Sequence, residues 1–320
     1  MSRFSPSDAA LEGFRLTREQ PLAVLVWAVV RVVYGVAGLA VMGGSGWRAA
    51  MERLPAMTPD QAQTNADALG PLLVQLAPGL LLMTALSLIF YAVAYTAVMR
   101  AILRPADKAF FYLRLSADEL RQLGLSLVLF VLFFFYAMVI EIASSLLMIL
   151  SKSLGPAALP VDILIFLAVA AAFVYPAVRL SIAPAMTFAD GKITLFRALP
   201  LTRGQFWPMF GAYVLALISA MIIGLIAMTI FLLLAGAIGA AQGGGAASLP
   251  SVMRMLQADQ MSLASLATPL GETKLVFSAL LYTLGYVILS APAAAIFREL
   301  TGRVGAPAHK PIPGQPWGQA

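Results

Sequence analysis

The sequence predicts an all-α, polytopic integral membrane protein with six transmembrane helices, arranged as three helical hairpins, and both termini cytoplasmic. Three observations predict this. Apolar residues make up 61% of the 320 residues and charged residues only 11%, against about 25% charged in soluble domains. Six apolar runs reach the ~20 residues that a helix needs to cross a ~30 Å hydrocarbon core. The basic residues also alternate between connections. Of 21 Lys and Arg, fifteen fall on the side of the two termini, five on the other, and Arg31 lies inside a run. Cytoplasmic connections keep the positive charge. A soluble protein of six buried helices would lack the polar surface to dissolve it.

The elements follow in order. Residues 1–21 are polar, carry Arg3, Arg15 and Arg18, and predict a cytoplasmic, interfacial segment. The membrane domain spans 22–299. Its first helix runs from Leu22 to Met42, after Pro21, which suits a first helical turn. Arg31 interrupts this run, and a polar segment precedes it, so it is read as a retained helix and not a signal peptide. The second runs from Leu72 to Met99. The connection after it carries Arg100, Arg104, Lys108, Arg114 and Arg121 around Phe110, Phe111 and Tyr112. Between spans, that mixture predicts an interfacial helix with rings in the acyl boundary, and not a nucleic-acid surface.

The third helix runs from Leu123 to Leu150, and a turn containing Gly155 and Pro156 leads to the fourth, Val161 to Leu180. The fifth runs from Phe206 to Ala241, with Gly239 and Gly243 as a small-residue pair. Residues 246–273 predict an amphipathic segment on the outer surface. The sixth helix runs from Leu275 to Phe297, and 300–320 form a flexible cytoplasmic tail rich in proline.

Three helix starts share one signature. Thr17 with Gln20, Ser116 with Glu119, and Thr202 with Gln205 each place a hydroxyl three residues ahead of an acid or amide, the spacing of a capping box. Their regular recurrence, with Tyr95-Thr96-Ala97-Val98 and Tyr175-Pro176-Ala177-Val178 closing two of the returning helices, predicts a three-unit internal repeat of parallel hairpins.

Cysteine is absent, and the sole histidine, His309, lies in the tail. Disulfides, thiolate metal sites, histidine triads and multi-histidine metal sites are excluded. No paired carboxylates fall within one span, so no catalytic residue, metal site or cofactor is expected. Two polar features remain as candidate sites. Ser87, Tyr91 and Tyr95 on the second helix, and Tyr282 and Tyr286 on the sixth, recur at spacings of three and four. Each set therefore shares one helix face, and the two faces could pack together or form one groove. Arg31 and Glu141 fall at similar depths in two outward-running helices, and a charge at the centre of a lipid-facing helix is costly. They are expected to face inward and pair.

The stretch from Arg179 to Trp207, with Pro184, Gly191, Leu201, Thr202, Gly204 and Trp207, resembles a segment of a loose group of bacterial six-helix membrane proteins. That group includes the membrane domain of glycerophosphoryl diester phosphodiesterases. The resemblance implies such a membrane domain without the catalytic barrel, in a bacterial inner membrane, and transfers no catalytic residue. The expected function is that of a non-enzymatic membrane module binding a lipid or protein partner, a homo-oligomer included, or scaffolding an assembly. The alternative is a transporter or permease for a small molecule or lipid. The lipid bilayer is an expected partner and nucleic acid is not.

Overall fold

The computed structural model describes residues 4–44, 66–241 and 263–302. Among them it is all-helical. The long helices are α1 (Pro6–Glu19), α2 (Pro21–Gly44), α3 (Ala66–Leu103), α4 (Ala117–Ser151) and α5 (Ala158–Leu180). Two short ones, α6 (Ala183–Asp190) and α7 (Ala198–Leu201), lead to α8 (Phe206–Ala241) and α9 (Pro269–Thr301). Among the described residues five segments are long and apolar enough to cross a membrane. One of these, Ala109–Asp190, contains both α4 and α5. They fold back on each other through the turn Lys152–Ala157, where Gly155 (φ 57°, ψ −124°) takes a backbone conformation that side chains disfavour.

The helices run longer than hydropathy alone predicts, because polar ends continue past the apolar runs. Pro71 and Pro78 both lie inside α3. The stretch 242–262, with Gly243 and most of the expected amphipathic segment, residues 45–65, and the expected tail from 303 lie outside the described residues.

Helix α9 is the centre of the bundle. It touches α1, α2, α3, α6 and α8, and Ala291 to Phe297 are buried without interruption. The N-terminal segment packs further in than a surface helix would. In α1, Ala9, Ala10 and Leu16 are buried, and Gly13 lies so close to α9 that a Cβ there would sit 2.5 Å from the Ile288 Cα. Ser5 caps α1 by accepting from the Asp8 N–H at 3.4 Å.

Of the three expected capping boxes, the one at Ser116 and Glu119 forms. The Ser116 N–H donates to Glu119 Oε2 at 2.9 Å, and the Ser116 hydroxyl accepts from the Asp118 N–H at 3.3 Å. The other two are corrected. Thr17 lies within α1 and donates to the Gly13 carbonyl at 2.9 Å. Gln20 is the residue at the break, because Pro21 after it takes the first position of α2 and disfavours helical backbone before itself. Likewise Thr202 closes α7, donating to the Ala198 carbonyl, and Gln205 directly precedes α8. Gly204 (φ 75°) reverses the chain between them. Thr17 stands three residues before its break, whereas Thr202 stands at the start of its own.

The turn Ala109–Tyr112 also departs from the expected interfacial helix. Phe110, Phe111 and Tyr112 all have positive φ (48°, 56° and 66°), a region costing a side-chain-bearing residue about 1–2 kcal/mol. Tertiary bonds hold it. The Trp27 indole N–H donates to the Phe111 carbonyl at 2.9 Å, the Arg100 guanidinium donates to the Tyr112 carbonyl, and the Tyr112 ring is buried. Phe110 is exposed.

All helix connections rich in arginine gather at one end of the bundle, and one device recurs there. Arg100, near the end of α3, donates to Glu119 at the start of α4 at 2.6 Å. Arg179, at the end of α5, donates through Nε to the Thr202 hydroxyl ahead of α8 at 3.2 Å. Arg298, near the end of α9, donates to Glu12 of α1 at 3.2 Å. Two shorter ties match as well: Arg114 to Asp107 at 3.1 Å and Arg197 to Asp190 at 3.2 Å, each across seven residues.

Candidate functional site: a caged arginine in a lateral cavity

A cavity of about 340 Å³ lies against α9, between α2 and α8, with α3 behind it. Arg31 lines it and, among the described residues, is the only charged one that does. The apolar run of α2 brings Arg31 ten residues past Pro21, or about 15 Å along the helix. There the side chain is surrounded by rings. Its guanidinium carbon is 4.7 Å from the centroid of Tyr34, 5.0 Å from Phe90 and 5.2 Å from Tyr282. Ring faces attract a cation, by about 0.5–2 kcal/mol each depending on desolvation. They offer no acceptor in the plane of the N–H groups. Among the described residues Arg31 makes no ion pair.

The two tyrosine stripes converge here. Tyr91 and Tyr286 have ring centroids 5.5 Å apart, and both line the cavity with Tyr282. The Tyr286 hydroxyl donates to the Tyr91 carbonyl at 3.4 Å. Ser87 lies beside the cavity and shares a hydrogen bond with the Tyr34 hydroxyl at 2.8 Å, steadying one wall of the cage. Tyr95 stands edge-on to Tyr286 at 6.4 Å but lines a second cavity of about 300 Å³ among α3, α4, α5 and α8. There it meets Ser181 and Tyr213, and the Tyr213 hydroxyl is shut off from solvent. Leu289 lines both cavities. Two further hydroxyls of α9 turn to backbone: Ser278 donates to the Leu275 carbonyl and Ser290 to that of Tyr286.

Arg31 and Glu141 do not pair. Glu141 is exposed on the outer face of α4, beside the exposed Met138, Val139 and Ile142. The face that α4 turns inward is set by residues such as Gln122, Leu125 and Ser144, and Glu141 is off that stripe. Ser144 is buried, but its hydroxyl donates to the Glu141 backbone carbonyl at 3.0 Å and not to the carboxylate. Trp27 and Phe90 are members of the cavity that no local pattern singles out, since only packing between helices brings them to Arg31.

Chemically, the arrangement presents five N–H donors of one permanent cation at mid-bundle, in apolar and aromatic surroundings. That combination recognises a carboxylate or phosphate group carried on an apolar body. No family model, curated protein or solved structure matches this chain.

Proposed function

We propose that this chain is a non-enzymatic membrane module, crossing the bilayer six times with both termini cytoplasmic, that binds acidic groups inside the membrane through the Arg31 cage. The observation that carries the reading is a caged guanidinium with no carboxylate partner among the described residues, open to a cavity between helices. Two helices, α4 and α5, fill the long apolar segment Ala109–Asp190, which supports six crossings from five segments. The concentration of arginine at one end supports that end as the cytoplasmic one.

The direct test uses a long-chain fatty acid bearing a photoreactive diazirine, and its methyl ester, with the purified chain in dilute detergent. The acid is expected to label residues of α9 near Tyr282, and the ester much less. A charge-assisted hydrogen bond contributes about 1.5–3 kcal/mol, so Arg31→Met should weaken labelling by the acid roughly 10- to 150-fold and leave the ester unchanged. Equal labelling by acid and ester would refute the reading.

A transporter reading draws on one observation, the wall that the two cavities share at Leu289. Leu289→Ala would join them, and uptake of the same acid into vesicles that rose with this substitution would favour transport.

A further inference from the structure

The cavity around Arg31 is shaped for one kind of acid. Its volume of about 340 Å³ is near the lower end of the ~300–1,000 Å³ range of ligand pockets. At ~30 Å³ for a water-sized group, it has room for roughly a dozen such groups. That is one carboxylate and the upper part of one acyl chain. The glycerol and two chains of a phospholipid need far more space.

Depth points the same way. Phe90, which flanks the guanidinium, stands ten residues before Arg100. The cation therefore lies about 15 Å in from the arginine-rich end, half-way through a ~30 Å core. A phospholipid holds its phosphate at the membrane surface, and reaching Arg31 would drag its ester groups inward with it. Few partners await them. Apart from Arg31, the polar side chains among the described lining residues are Tyr91, Tyr282, Tyr286, Thr283 and Trp27. The Tyr286 hydroxyl already donates to the Tyr91 carbonyl, and the Trp27 indole to that of Phe111. Polar groups buried without hydrogen bonds are costly. A fatty acid has no polar atoms beyond its two carboxylate oxygens, and two parallel N–H groups of a guanidinium satisfy both.

The charge count agrees. One cation in the lining balances one negative charge and leaves a second uncompensated. A monoalkyl phosphate carries about 1.5–2 negative charges at neutral pH, and a fatty carboxylate carries one.

The way in is sideways. Tyr91 and Tyr282 line the cavity and are 41% and 62% exposed. Tyr282 stands near the middle of α9, so the opening faces acyl chains and not water. On the α8 side, a Cβ added at Gly224 would meet nothing within 4 Å, which leaves space for a chain.

Resting on the reading of the cage as an acid-binding site, we infer that its ligand is a long-chain monocarboxylic acid with a single chain. It enters from the bilayer past Tyr282, sets its carboxylate on Arg31 and runs its chain past Gly224.

Competition against the photoreactive acid tests this on the native chain in dilute detergent. Palmitic acid should displace the label at concentrations about 10-fold lower than either hexadecyl phosphate or phosphatidylglycerol, the loss expected when charge-assisted bonds are imperfectly matched. Displacement by either phosphate at the same concentration as palmitic acid, or lower, overturns the inference. A second measurement keeps Arg31 and fills the space beside it. Gly224→Leu should weaken displacement by palmitic acid about 5-fold or more, as overpacking does; native affinity in this variant also overturns it. The competition needs no variant, so it decides even where Gly224→Leu fails to fold. If the acid labels the cage through Arg31 but a phosphate displaces it best, the cage reading survives and the choice of ligand does not. If acid and methyl ester label equally, both fall.

Discussion

Replacing Gly13 by alanine should release α1 from α9. The added Cβ would stand 2.5 Å from the Ile288 Cα, 2.9 Å from the Val287 carbonyl oxygen and 3.0 Å from the Ile288 amide nitrogen. All three are backbone atoms of a buried helix, so no side chain can swing aside. Relief needs α1 to move by about 1 Å to restore ordinary contact near 3.5–4.0 Å. That movement loosens Ala9, Ala10 and Leu16 from their contacts. Overpacking of this kind costs about 1–3 kcal/mol. If that energy falls on docking of α1, the undocked population rises roughly 5- to 150-fold, and cleavage limited by opening rises in proportion. Arg15 and Arg18 are exposed trypsin sites in α1. The assay is the rate of tryptic cleavage there in detergent, by mass spectrometry. Gly211→Ala is the control, because its Cβ would meet nothing within 4 Å and alanine favours a helix by up to ~1 kcal/mol. Cleavage of Gly13→Ala at the native rate would refute the docking geometry.

Three further outcomes are expected. Ser116→Ala should lower stability by about 1 kcal/mol through loss of the cap, and Thr17→Ala by less than about 0.5 kcal/mol, both read from denaturant unfolding in micelles. Arg100→Leu should cost about 3–5 kcal/mol by leaving the buried Glu119 unpaired, and Glu119→Leu added to it should restore part of the loss in a double-mutant cycle. Additive losses would show that the pair is not coupled. Reporters fused after Arg121 and Arg203 should read cytoplasmic and one near Gln257 should read external; an external signal at Arg203 would overturn six crossings.

The apolar runs were legible in the sequence because a lipid-crossing helix is set by its own residues. The fifth run matched α8 at both ends. The tyrosine stripes were legible for a related reason: spacings of three and four fix a face of a helix whatever surrounds it. Which neighbour that face meets is a different matter. Glu141 lies off the inward stripe of α4 by a fraction of a turn, and no local pattern reveals that. The boxes at Thr17 and Thr202 misled because a capping motif is local while the break is placed by Pro21 in one case and Gly204 in the other. The docking of α1 was hidden in residues that carry little signal, Ala9, Ala10 and Gly13, whose smallness matters only once α9 lies across them.

The central position of α9 has a consequence for how the molecule is made. It is the last of these helices to be synthesised, and synthesis proceeds from the N-terminus. Until it arrives, α1 has no surface to dock on, Glu12 has no Arg298, and α2 and α8 lack the helix that both touch. Until then the earlier helices lack the surface that α9 supplies. A chain released before Pro269 would therefore be recognisable as unfinished by its unfilled middle and its loose N-terminal helix. The bundle closes only once α9 has been made.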